Sequence, residues 1–375
     1  MIDLDINAKF FFELVRAGLW TDVDLNLNAN VNPNHNKKVD WGKVYQFAEE
    51  QSVVGLVLAG IEWFKVHDSR FTIPQELLLQ WIGEVQILEQ QNKEMNSFIE
   101  ELIERLRKAD IYTLLVKGQG IAQCYERPLW RTCGDVDLYL SDSNYEAAKI
   151  QLTPLASGVN EENKKKRCIE MTIDSWLVEL HGTMHGDLST RINKELDTMH
   201  NRLFDDNEVR IWYNGEGTVY LPSPDNDIII VFTHFLQHFF IEGVGLRQIC
   251  DWCRLLWTYK DSLNHGLLES RIRKMGLMTE WKAFAALAVD TLGMPREAMP
   301  FYDSEFKNKG RKVLERVMKC GNMGHNNDLS YRAKYSGMTY KLVALWRRLK
   351  DFADFTKIFP VDAPKFFVHY VFRKI

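Results

Sequence analysis

The chain has no long run of apolar residues and few cysteines. None of its apolar runs is long enough for a helix that crosses a bilayer. Six cysteines among 375 residues do not make a disulfide framework, which predicts reduced thiols and a cytoplasmic location. Asp3 and Asp5 stand where a secretory signal would carry basic residues. A Walker-type loop, an internal repeat, and a Ser/His/Asp or Cys/His arrangement are also missing.

An excess of positive charge is absent as well. The formal net charge of −4 gives no general attraction to nucleic acid, so a nucleic-acid partner is not expected. The charge is uneven, because residues 331–375 hold ten Lys/Arg and three Asp/Glu. Aromatic residues are interleaved with these bases. Core packing or contact with a membrane surface explains this basic–aromatic segment better than base stacking does.

What the chain does contain is an ordinary globular composition, 46% hydrophobic and 26% charged. Its patterning predicts an α+β (mixed α/β) fold in which a small mixed sheet lies between helical regions. The regions are 1–108 (helical), 109–222 (α/β core) and 223–375 (helical). The predicted helices cover 10–17, 41–49, 53–64, 76–107, 144–155, 225–241, 246–259, 282–292, 309–318 and 340–355. The predicted strands cover 111–116, 135–140, 168–173, 176–181, 209–213 and 218–221, and 26–38 is a loop.

Residues 114–140 are the most informative stretch. A short apolar strand ends in the turn Lys117-Gly118-Gln119-Gly120, whose backbone N–H groups could bind phosphate at the start of a helix. Asp135 and Asp137 follow on the next strand and share one face, with Cα atoms roughly 6.5 Å apart. Two carboxylates this close repel each other unless a cation lies between them, and Mg²⁺ is the simplest candidate.

A third carboxylate, Glu179, lies between apolar neighbours on a later predicted strand. If that strand lies beside the one that carries Asp135 and Asp137, three acids meet at the sheet. They could then hold two Mg²⁺ ions that orient a triphosphate and activate an attacking hydroxyl.

These motifs resemble the nucleotidyltransferase superfamily related to DNA polymerase β, and within it most closely the bacterial "uncharacterised nucleotidyltransferase" family. The motifs that carry the resemblance are Lys117-Gly118, Tyr125, Pro128, Arg131, Gly134-Asp135-Val136-Asp137, Glu179-Leu180-His181, Leu221-Pro222, His234, His238 and Leu246-Arg247…Asp251. Gln119 is a departure, since the superfamily usually has Gly-Gly or Gly-Ser in this turn. The gap to Asp135 is also longer than usual.

The resemblance implies a nucleotidyltransferase-like core and a Mg²⁺-dependent enzyme. Such an enzyme would move an NMP from an NTP donor to a hydroxyl or phosphate of a small molecule, sugar, peptide or protein. The implied catalytic and metal-binding residues are Asp135, Asp137 and Glu179. The implied nucleotide-binding residues are Lys117, Gly118, Gln119, Gly120 and Arg131, and the implied acceptor-binding residues are His181, His234 and Arg247. The alternative is a catalytically silent scaffold or partner-binding protein that keeps the fold.

Several of these residues also have simpler interpretations. Lys117 could be a surface lysine, and His181 a packed core histidine. Arg247 and Asp251, four residues apart on a predicted helix, are most simply an ion pair on its surface. His234 and His238 have the spacing of a zinc hydrolase motif but lack its glutamate. The lone C-x-x-C pair, Cys250 and Cys253, most simply consists of two partly buried thiols.

Overall fold

Helices surround a small mixed sheet in the computed structural model, which describes residues 5–20, 39–206, 208–327, 334 and 337–374. The predicted α+β fold class is confirmed. The predicted loop at 26–38 lies wholly outside the described residues, as does most of 331–336. None of the helices in the described ranges has the length and hydrophobicity that crossing a membrane requires.

The described part of the N-terminal region, residues 5–20 and 39–108, contains four helices, as the periodicity predicts. They are α1 (Ile6–Leu19), α2 (Trp41–Glu50), α3 (Val54–His67) and α4 (Gln75–Lys108). Asp5 caps α1 by accepting a hydrogen bond from the Ala8 N–H at 2.7 Å. Helices α1 and α3 cross so closely that a Cβ on Gly60 would lie 2.0 Å from the Leu14 carbonyl oxygen. Only glycine allows this contact.

The main sheet has five strands, β1 (Leu114–Val116), β2 (Asp135–Tyr139), β3 (Gly158–Val159), β4 (Cys168–Ile173) and β5 (Trp176–His181). Their order is β1-β2-β5-β4-β3, and only β2 and β5 are parallel neighbours. The predicted hairpin of β4 and β5 is present, and its two turn residues have positive φ angles, 48° at Asp174 and 71° at Ser175. The predicted strand at 111–116 begins only at residue 114.

Three helices and a second hairpin complete the central region. They are α5 (Gly118–Ala122), α6 (Asp142–Leu152), α7 (Thr190–Asp205), β6 (Val209–Asn214) and β7 (Gly217–Pro222), and the two strands form a separate sheet. Helix α7 was not among the predicted helices. Its buried residues Ile192, Leu196, Met199 and Leu203 follow helical spacing, but the polar residues between them weaken the pattern.

The C-terminal region is helical, as predicted. It comprises α8 (Pro224–Ile241), α9 (Leu246–Thr258), α10 (His265–Met275), α11 (Met278–Asp290), α12 (Lys307–Cys320), α13 (Gly337–Ile358) and α14 (Asp362–Lys374). Helix α10 is additional to the prediction. Trp252 of α9 and Trp281 of α11 pack edge to face with ring centroids 4.7 Å apart. Cys250 and Cys253 of α9 are free thiols, as predicted, but they are fully and not partly buried.

The basic–aromatic segment contributes to the core through several of its rings. Phe355, Phe359 and Phe366 are buried, and each ring packs against Phe240 of α8. Core packing, one of the predicted alternatives, therefore holds for these three residues. Trp346 on α13 is 63% exposed, so membrane-surface contact by this part of the segment stays a prediction.

Two hydrophobic cores support the fold. The larger joins α1, α2 and α3 to the C-terminal helices, and the smaller lies between the main sheet, α4 and α6. Val136, Leu138 and Val178 point into the smaller core, so the alternate residues of β2 and β5 face the opposite way. That face is directed toward α8 and α9. The division into regions 1–108, 109–222 and 223–375 stays a prediction.

Candidate active site

The predicted carboxylates meet on the face of the sheet that is turned toward α8 and α9. The parallel register of β2 and β5 places Asp137 beside Glu179 and Tyr139 beside His181. Since neighbouring strands lie about 4.8 Å apart and alternate residues share a face, Asp135, Asp137 and Glu179 are neighbours on this face. Among the described residues, the group whose ligand atoms lie within 4.8 Å of one another is Cys168, Glu179 and His181, so the three carboxylates would have to move closer together around a shared ion. All three line one cleft of about 350 Å³.

Asp137 is the most buried member of the cluster and has two cationic partners. Its side chain is 2% exposed, and its Oδ1 lies 2.7 Å from Lys117 Nζ and 2.9 Å from His181 Nε2. Burial alone would raise the pKa of Asp137, but the Lys117 charge and the His181 hydrogen bond outweigh burial and hold that pKa well below its usual range. Asp137 is therefore ionised at neutral pH.

His181 connects the two strands. Its Nε2 also lies 3.2 Å from Glu179 Oε2. Burial would lower the pKa of His181, but hydrogen bonds to Asp137, Cys168 and Glu179 together raise it well above the usual value. The structure thus brings this predicted acceptor-binding residue into direct contact with the carboxylates.

Asp135 has an excess of negative charge around it. The charge of Asp137 is the main reason why its pKa is raised, burial is the second, and Lys117 offsets them only in part. Another cation beside Asp135 and Asp137 would relieve this repulsion. Because their ligand atoms are carboxylate oxygens, the donor set fits a hard divalent cation such as Mg²⁺.

The turn after β1 only partly matches the predicted phosphate-binding turn. Lys117 and Gly118 line the cleft and have positive φ angles, 57° and 39°. Gln119 does not line the cleft; it is 1% exposed, and its amide donates to Asn92 Oδ1 at 2.6 Å. Gly120 packs against β7, where an added Cβ would lie 2.8 Å from Leu221 Cδ2. Two of the four predicted turn residues therefore face the protein interior.

Arg131 lines the cleft, but its guanidinium is held by Asp251 of α9. Nε and Nη2 donate to the two carboxylate oxygens of Asp251 at 2.8 and 2.7 Å, and Tyr125 Oη donates to the same carboxylate at 2.8 Å. The predicted surface ion pair of Arg247 with Asp251 is therefore wrong. Arg247 instead donates to the Thr132 carbonyl at 2.8 Å. Both arginines join α9 to the segment before β2.

Helix α8 forms the wall opposite the sheet. His234 and His238 both line the cleft, and their Nε2 atoms lie 3.2 Å apart. Burial, followed by the charge of Lys117, lowers the pKa of His234 well below its usual value, so its ring is neutral. Within the described ranges, the only group of three or more possible metal ligands excludes this pair. The zinc-hydrolase alternative therefore has no third ligand beside the two histidines.

Lys166 and Cys168 are among the cleft residues that the sequence prediction did not include. Lys166 pairs with Asp187 at 2.7 Å. Cys168 lies opposite His181 in the antiparallel register of β4 and β5. The signal for Cys168 was present in the sequence, because a two-residue turn at 174–175 puts residues 168 and 181 opposite each other.

Comparison with known proteins identifies a matching family. A family model described as uncharacterised nucleotidyltransferase matches residues 37–293, a range that contains all the cleft residues discussed above. No curated protein and no solved structure matches the chain. The resemblance predicted from the sequence is thereby confirmed.

Proposed function

Because the chain belongs to the uncharacterised nucleotidyltransferase family, we propose that it transfers an NMP from an NTP to a hydroxyl or phosphate of an acceptor, in a Mg²⁺-dependent reaction. The observation that carries the proposal is the convergence of Asp135, Asp137 and Glu179 in one cleft. Lys117 only partly offsets the repulsion between Asp135 and Asp137, so a divalent cation would be attracted to these acids. Such cations could in turn bind a polyphosphate.

Asp135, Asp137 and Glu179 would hold two Mg²⁺ ions. Bound there, the ions would supply Lewis-acid stabilisation of the charge that develops on the transferred phosphorus group. The carboxylates orient this site because β2 and β5 fix their spacing through backbone hydrogen bonds. Lys117, already in contact with Asp137, brings a positive charge to the place where the donor phosphates would lie.

The attacking hydroxyl needs a proton acceptor, and Glu179, which is partly exposed in the cleft, would accept that proton. His181 lies beside it at 3.2 Å, and its raised pKa means that its ring is protonated. His181 would therefore hold Glu179 and Asp137 in place by donating hydrogen bonds, and it would not act as the base. Arg131 acts as a positioning residue in this proposal, because its guanidinium is engaged with Asp251.

The acceptor would bind on the side of the cleft that α8 and α9 form. His234 offers a neutral imidazole there. Arg247 offers the buried Nε, which has no hydrogen-bond partner among the described residues. The cleft volume of about 350 Å³ lies within the range of small-molecule binding pockets.

The test is incorporation of label from α-labelled NTPs in a cell extract, with the wild type and the Asp135→Asn/Asp137→Asn variant. We expect Mg²⁺-dependent labelling that the double variant lacks. Glu170→Gln is the matched control, since Glu170 lies opposite Glu179 across β4 and β5 but does not line the cleft. Equal labelling by the wild type and the double variant would contradict the proposal. If the wild type lacked both labelling and Mg²⁺-dependent NTP binding in calorimetry, the silent-scaffold alternative would be supported.

A further inference from the structure

Cys168, Glu179 and His181 form a second group of possible ligands at the edge of the cleft. One ligand atom from each, a sulfur, an oxygen and a nitrogen, lies within 4.8 Å of the others. The group is built into the sheet, because Cys168 and His181 are cross-strand partners and Glu179 shares the face of His181. All three side chains are partly buried and line the cleft.

The chemistry of this group differs from that of the aspartate pair. Magnesium takes oxygen ligands, whereas a thiolate, an imidazole and a carboxylate together are a zinc-type donor set. We propose that Cys168, Glu179 and His181 bind a zinc-class transition-metal ion. Tetrahedral zinc keeps its ligand atoms about 3.5 Å apart, so the side chains need to approach each other by roughly 1 Å at most.

Asp137 lies next to this group without belonging to it, since its ligand atoms are not among those within 4.8 Å of one another. Its Oδ1 lies 2.9 Å from His181 Nε2, so an ion bound at Nε2 would replace this hydrogen bond. The ion carries two positive charges into a site where three acidic side chains and a thiol converge.

This site shares Glu179 with the proposed magnesium site. Occupation by zinc therefore competes with magnesium and inhibits nucleotidyl transfer. That consequence rests on the proposed function, but binding of the transition metal does not, and binding can be measured without turnover.

The six cysteines provide an internal control for such a measurement. Cys124, Cys250, Cys253 and Cys320 are buried, and only Cys133 and Cys168 are partly exposed. The experiment is limited alkylation of the native protein, with the modified cysteines identified by mass spectrometry. Micromolar Zn²⁺ is expected to slow alkylation of Cys168 at least about tenfold and to leave Cys133 unchanged. Millimolar Mg²⁺ is expected to slow neither. Equal protection of both cysteines, or protection of neither, would overturn the proposal.

A second measurement covers the case in which Cys168 reacts too slowly to follow. Added Co²⁺ should give the near-ultraviolet absorption of a cobalt–thiolate bond in the wild type and in Cys133→Ser, but not in Cys168→Ser. A wild type without that band, or a Cys168→Ser variant that keeps it, contradicts the assignment. Mg²⁺-dependent NTP binding, measured in the same variants, shows separately whether the proposed function holds.

Discussion

Lys117 Nζ lies 2.7 Å from Asp137 Oδ1, so the lysine that follows β1 is joined to the carboxylate at the centre of β2. The backbone of Lys117 adopts a positive φ of 57°, which is uncommon for a residue with a side chain and concentrates at functional sites. The two side chains are 14% and 2% exposed, so the pair is shielded from solvent. The lysine charge therefore stands in the place where cations and phosphates are proposed to bind.

Lys117→Met should leave Asp137 with only His181 as a cationic partner. Breaking a buried pair from one side costs about 3 kcal/mol, so the free energy of unfolding should fall by about that amount in metal-free buffer. Magnesium should restore stability more in this variant than in the wild type, because it then has no lysine to compete with. Denaturant unfolding with and without Mg²⁺ measures both effects. Lys108→Met, at an exposed lysine, is the control.

Variants of Arg131 test which of two roles this residue has, a structural ion pair with Asp251 or a ligand of the donor phosphates. Its two parallel hydrogen bonds to Asp251 cannot be reproduced by a lysine. Arg131→Lys and Asp251→Asn should each lower the free energy of unfolding by about 3 kcal/mol. Arg127→Lys, at a more exposed arginine, should change it little. If Arg131→Lys weakens NTP binding in calorimetry while stability is unchanged, Arg131 is a phosphate ligand and the positioning role is wrong.

The glycine turn offers a paired comparison. Gly118 lines the cleft at a φ of 39°, so Gly118→Ala strains the backbone beside the proposed phosphate site and should weaken NTP binding. In Gly120→Ala the new Cβ contacts only the Leu221 side chain. This variant should therefore keep the NTP affinity of the wild type and lose a small amount of stability. Calorimetric titration of both variants checks this. An equal loss of NTP affinity would mean that the whole turn binds phosphate.

Glu280 of α11 does not line the cleft, and its ionisation should make the free energy of unfolding depend on pH. Burial, together with the negative charge of Asp362, raises the pKa of Glu280 to about 8. The folded state therefore holds this proton more tightly than the unfolded state. Protonated Glu280 makes its full contribution to the free energy of unfolding below about pH 4.5. As the pH rises from there to about 8, that free energy falls by about 1.4 kcal/mol per pH unit. Glu280→Gln should remove that slope, and Glu297→Gln should keep it. Unfolding between pH 5 and 9 gives the comparison, and a slope that persists in Glu280→Gln would assign it to another group.

The sheet and its acids could be predicted from the sequence because both depend on local patterns. Alternation in β2 places Asp135 and Asp137 on one face, and the short turn at 174–175 sets the register of β4 and β5. The cleft's other contacts depend on tertiary packing. Arg131 and Asp251 are separated by 120 residues along the chain, and the inward turn of Gln119 requires Asn92 from α4. A residue-spacing rule cannot find such partners.

The most direct test of nucleotidyl transfer follows both ends of the triphosphate at once. The wild type is incubated with Mg²⁺, cell extract and a mixture of α- and γ-labelled NTP. Transfer of an NMP predicts that the α label enters the acceptor and the γ label leaves as pyrophosphate, with both signals lost in Asp135→Asn/Asp137→Asn and retained in Glu170→Gln. Entry of the γ label into the acceptor, or α labelling that persists in the double aspartate variant, would contradict the assignment.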